Sequence, residues 1–149
     1  MSEIVPSPAP GGVGAEPIAL VKSFTFTGAA TTGAVGTQTV FTVTGEVEVV
    51  ELIPICDTDL TSAGGGSISL GVTGNTVLFI AATVATAIDA AEFWFTTTPT
   101  ANALAIPAAL KNIAITDDII STVTVGDVTA GVIRYMLLYR PISAGALVV

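Results

Sequence analysis

Gly131-Val132-Ile133-Arg134-Tyr135-Met136-Leu137-Leu138-Tyr139-Arg140, stopped by Pro141, is the stretch that decides the fold. Ile133, Tyr135, Leu137 and Tyr139 recur at every second residue, so a strand puts them on one face. The alternate positions hold Arg134, Met136, Leu138 and Arg140. A strand with apolar residues on both faces is covered on both. One face is the expected core. The other is either a solvated surface of mixed character or a contact surface, since arginine is enriched at interface cores.

A partner strand is visible upstream in Gly45 to Cys56. Val47 and Val49 alternate with Glu46 and Glu48 until the Val49-Val50 pair, after which Glu51 falls on the formerly apolar side. One extra residue swaps the faces of a strand, so a bulge is expected near Val50. Glu46, Glu48 and Glu51 then form either a solvated face that deters edge pairing or a salt-bridged contact with a basic neighbour.

The remaining chain reads the same way. Leu20–Thr27 and Thr37–Thr44 are rich in Thr, Phe and Val, which suit strands, and a loop of small residues joins them. Asp57–Gly66 reads as a turn region. Ser67–Val72 and Val77–Ala82 form a hairpin around Gly74-Asn75. Thr83–Glu92 is balanced between a short helix and a strand. Phe93–Thr97 is a short aromatic strand, and Thr98–Leu110 is a loop with two prolines. Ile113, Ile115, Ile119, Val123 and Val125 keep a period of two, and Gly126-Asp127 turns the chain into the last strand. Eight or nine short strands predict an all-β fold. The expected form is a two-sheet β-sandwich of jelly-roll type over residues 20–149. Residues 1–19 hold four of the eight prolines: Pro6, Pro8, Pro10 and Pro17, among glycines, exclude regular structure and predict an extended N-terminal arm.

The 149 residues carry a net charge of −8, with only Lys22, Lys111, Arg134 and Arg140 as cations and no histidine. Four cations make no basic footprint, so neither nucleic acid nor anionic lipid is an expected partner. The uncharged run Leu60–Ile88 is long enough to span a bilayer, but glycines punctuate it, so no membrane span is expected. No secretory leader is visible, which points to synthesis in the cytoplasm. Without histidine there is no Ser-His or zinc site. Cys56 has no base to form its thiolate and reads as a buried, inert thiol. Asp57-Thr58-Asp59 lacks the spacing of a calcium loop and suits Asx-turns. Asp117-Asp118 point to opposite sides of a strand, so they are no catalytic pair. Gly64-Gly65-Gly66 lacks the Lys and Ser/Thr of a phosphate loop. No enzyme activity, cofactor or metal is expected. An apolar content of 51% exceeds what one small sandwich hides, so self-association as a dimer or trimer is expected.

Several runs resemble small virion proteins of tailed bacteriophages, namely head decoration or cement proteins. They are Lys22-Ser23-Phe24-Thr25-Phe26-Thr27-Gly28-Ala29-Ala30, Gly33-Ala34-Val35-Gly36 and Phe41-Thr42-Val43-Thr44-Gly45-Glu46-Val47. Asp127-Val128-Thr129-Ala130-Gly131 and Tyr139-Arg140-Pro141-Ile142-Ser143-Ala144-Gly145 belong with them. The resemblance implies a β-sandwich oligomer on the outer capsid surface of the virion, assembled in the host cytoplasm and bound to the major capsid protein. It implies no catalytic residues. The rival expectation is a ligand- or glycan-binding sandwich of a head fibre or tail tip, which exposed aromatic residues would favour. The candidate interface residues are Arg134, Met136, Leu138, Arg140, Glu46 and Glu48.

Overall fold

The computed structural model describes residues 16–149, and they are almost entirely β. The strands are β1 Ile18–Thr25, β2 Gly36–Phe41, β3 Val43–Thr44, β4 Val47–Ser62, β5 Ser67–Val72 and β6 Asn75–Val84. They continue with β7 Glu92–Phe93, β8 Thr100–Ala101, β9 Lys111–Ile115, β10 Ile119–Thr124, β11 Val128–Pro141 and β12 Leu147–Val148. The larger sheet has the order β1-β11-β4-β7-β8, with β9 also paired to β4. The smaller sheet runs β2-β10-β5-β6, and β12 pairs with β3. All these pairings are antiparallel. Most of the expected arm, residues 1–15, lies outside the described residues, while Ile18 and Ala19 already belong to β1.

The two main sheets share one core. Ile133, Tyr135, Leu137 and Tyr139 of β11 are all buried, as the period of two requires. They meet residues of the smaller sheet: the Phe41 ring stands edge-on to Tyr135, with centroids 6.5 Å apart. Trp94 closes the core near β6, where its Nε1–H donates to Thr83 Oγ1 at 3.0 Å.

The expected bulge is present. Tyr139 pairs with Val49 and Leu138 with Glu51, so Val50 is the extra residue, and burial shifts from Val47 and Val49 to Leu52 and Cys56. Three further register shifts follow, between Ile133 and Val132, Val132 and Ala130, and Ala130 and Val128. They correct the reading of Asp57–Gly66 as a turn: β4 continues to Ser62, and three successive exposed residues, Asp57, Thr58 and Asp59, break the alternation there.

Four other readings change. The run from Ile113 to Val125 is two strands, β9 in the larger sheet and β10 in the smaller. The chain crosses between sheets at Thr116-Asp117-Asp118, and Asp118 Oδ1 accepts the Val43 N–H at 2.8 Å. Thr37–Thr44 is broken at Thr42, whose N–H and C=O pair with Val149 instead. The hairpin turn is Thr73-Gly74, because Val72 pairs with Asn75. The aromatic strand is only Glu92–Phe93, and Ala85–Ala87 forms a single 3-10 turn. None of the helical turns is long and apolar enough to cross a membrane.

Candidate interface face

In an antiparallel pair, residues opposite each other point to the same side of the sheet. The outward face of β11 therefore continues onto both neighbours. Val21 of β1 and Ile53 of β4 flank Met136, Ala19 and Glu51 flank Leu138, and Ser23 and Ile55 flank Arg134. Val21 is 57% exposed on the edge strand β1, and Met136 is 37% exposed on β11, which is paired on both sides. Ala19, Val21, Glu51, Ile53, Met136 and Leu138 line a shallow groove of 180 Å³ whose wall is almost wholly apolar.

An ion pair stands at each end of this groove. Arg140 Nη1 donates to Glu48 Oε1 at 2.8 Å. Arg134 Nε lies 3.2 Å from Asp57 Oδ2, and its Nη2 donates to Asp57 Oδ1 at 3.3 Å. Both arginines thus find their acids within the chain. Glu48 is the register partner of Arg140, whereas Asp57 reaches Arg134 only because β4 bulges beside it. Glu51 stands in register opposite Lys111 of β9.

The structure brings Arg134, Met136, Leu138, Arg140 and Glu48 together on this one face. Glu46 does not join them. It sits on the bend before β4, where its N–H is held by Ser143 Oγ at 2.9 Å and its C=O accepts from Ile142. Sequence reasoning missed Val21 and Ile53 as members, because the partner strands of β11 were not readable.

The charge of the chain is divided unevenly by this face. Of its 12 acids and 4 cations, three of each stand on or beside it: Glu48, Glu51 and Asp57 with Lys111, Arg134 and Arg140. The rest of the chain therefore carries the whole net charge of −8.

The other candidate groups do structural work. Asp59 Oδ1 accepts the Ala90 N–H at 2.6 Å and ties a loop to β4, and Asp127 Oδ1 accepts the Val35 N–H at 2.8 Å and ties the turn before β11 to the loop before β2. The Asp57–Asp59 pair lies in β4 and forms no Asx-turn site. Cys56 is fully buried, and burial pushes its thiol up to about 12, with Sγ–H donating to Thr58 O at 3.0 Å. Such a thiol holds its proton at neutral pH and is a poor nucleophile. Among the described residues, no three His, Cys, Asp or Glu side chains are grouped to hold a metal ion. Phe24 and Phe93 are half-buried and the other seven aromatic residues are buried. No protein-family model, curated protein or solved structure matches the chain.

Proposed function

We propose that this chain is a structural virion protein, a capsid decoration (cement) protein that binds the outer shell of a tailed-phage head and strengthens it by repeated non-covalent contacts. The observation that carries the proposal is the neutral, apolar-centred face of the larger sheet on a chain that is otherwise strongly acidic. Such a face associates without electrostatic repulsion, and the acidic remainder does not compete for packaged DNA.

The strand order supports the same reading. The eight longer strands divide as β1-β11-β4-β9 and β2-β10-β5-β6. We read this as a jelly roll, an architecture used by viral capsid and lectin domains alike. The lectin alternative is the glycan-binding reading. It is disfavoured by the aromatic residues, because a sugar platform needs an exposed ring and none of the nine is exposed. The fold by itself names no function, so the face and its charge carry the weight.

The test is attachment to particles. Wild-type protein should co-sediment with virions of its source and be found in them by mass spectrometry. Leu138→Glu places a carboxylate in the groove beside Glu51 and should abolish co-sedimentation while leaving the thermal transition within a few degrees. Absence from virions, or binding to a glycan array with no particle attachment, would overturn the proposal. The expected major capsid partner is then sought by cross-linking from Lys111, at the rim of the face.

A further inference from the structure

Every open sheet must guard its edge strands, because unpaired N–H and C=O groups template another strand. Three of the longer edges here are blunted. β6 shifts register twice against β5, and Phe95, Thr96, Thr97, Pro107 and Ala109 stand beside its middle. β2 is six residues long and irregular beside Ile119. β9 is five residues long. β1 is different. Its eight residues keep one unbroken register with β11 from Ile18↔Tyr139 to Thr25↔Val132, and among the described residues it has no strand on its other side.

β1 also lacks the usual chemical guard. A lysine on an edge strand repels incoming strands, and Lys22 is the one charged residue of β1. Lys22 is exposed, but its ammonium group is turned towards the smaller sheet and away from the outer face: Nζ donates to Val40 O at 2.9 Å and lies 5.4 Å from the centroid of the Phe41 ring. On the outer face of the larger sheet β1 shows Ala19, Val21, Ser23 and Thr25, in line with the apolar groove.

From this we infer that β1 is a pairing edge for a second copy of the same chain, joining two larger sheets across a twofold axis. A second copy is the occupant because it brings the same open edge, as a twofold contact requires. Two copies that each carry −8 repel one another over most of their surface, and the neutral face beside β1 is where that repulsion is least. Charge also selects the direction. Antiparallel pairing places the two Glu16 residues, just ahead of β1, at opposite ends of the contact, whereas parallel pairing stacks them. A twofold pairing uses both edges and closes, so it yields a dimer and not a fibre. The two apolar grooves then adjoin in one wider face. This inference stands whether or not the decoration reading holds, because its readouts involve no particle.

The experiment uses the full chain. Light scattering should give twice the chain mass at micromolar concentration. Hydrogen exchange, measured on either side of the dissociation constant, should show concentration-dependent protection confined to residues 18–25. Val21→Lys restores an outward guard and faces its own copy across the axis. It should raise the dissociation constant at least ~10-fold with an unchanged circular dichroism spectrum. A monomer at every concentration, a trimer, or an oligomer without protection in β1 would overturn the inference. If Val21→Lys does not fold, the wild-type exchange pattern alone decides.

Discussion

Tyr135→Phe should stabilise this protein. Tyr135 is fully buried on the core side of β11, and its hydroxyl has no hydrogen-bond partner among the described residues. Burial drives its pKa upward, with a smaller push from Cys56. A buried hydroxyl without a partner costs roughly 1–3 kcal/mol relative to water. Phenylalanine keeps the ring, its rotamer and the edge contact with Phe41 while removing that cost. Part of the gain is lost to the small void left by the oxygen, so the expected net is about 1 kcal/mol. For a chain of this length that raises Tm by about 3 °C. The assay is a thermal melt together with urea unfolding at neutral pH, read against Trp94→Phe in the same core. Trp94→Phe deletes a buried Nε1–H bond to Thr83 and leaves a cavity, so it should lower stability by roughly 2–4 kcal/mol. Opposite signs for two aromatic-to-Phe changes are the signature expected. A loss of more than about 1 kcal/mol in Tyr135→Phe would refute the reasoning, because it would show that the hydroxyl is hydrogen-bonded in solution.

Three further outcomes follow from the same geometry. Gly131→Ala should cost at least about 2–3 kcal/mol in urea unfolding, because Gly131 has φ +114° and a Cβ there would lie 2.6 Å from Asp59 O and 2.4 Å from Leu60 Cδ2. Stability should fall as pH rises from about 9 towards 12, because the unfolded chain releases the Cys56 proton near 9.0 while the fold holds it to about 12. The slope is up to ~1.4 kcal/mol per pH unit, and Cys56→Ala should flatten it in a pH series of melts. Arg134→Ala should change stability by less than about 1 kcal/mol, since both members of its ion pair are more than a third exposed, which a double-mutant cycle with Asp57→Ala checks.

How much of the fold was legible depended on whether alternation survived. In β11 it survives whole, so the core face could be named residue by residue. At Val50 it fails by one step, and one step has a single local cause, so the bulge was legible too. At Asp57–Ser62 it fails repeatedly, because β4 gains extra residues against β11 near Val132 and Ala130. A strand with closely spaced bulges then looks like a turn. The run from Ile113 to Val125 misled in the opposite way. Ile115 and Ile119 both point inward, one from each sheet, and the crossing at Thr116–Asp118 preserves the phase. Periodicity reports which side is inward; it does not report to which sheet a strand belongs.

The candidate face was legible only as far as a single strand carries it. Arg134, Met136, Leu138 and Arg140 share a side because of the period of two, and this needs no knowledge of neighbours. Whether those arginines are available to a partner depends on what lies across the sheet, and that is a matter of register. Register placed Glu48 opposite Arg140, and a bulge brought Asp57 to Arg134, so both charges are satisfied within the chain. The consequence reverses the role expected of the arginines. They do not offer unpaired charge to an acidic partner; they neutralise the acids of their own sheet and leave a centre of exposed Val21 and Met136 beside half-buried Ile53 and Leu138. An interface built this way draws its affinity from apolar area and shape, with weak dependence on salt. A binding constant for Leu138→Glu far more sensitive to substitution than that for Arg134→Ala is the pattern such a face produces.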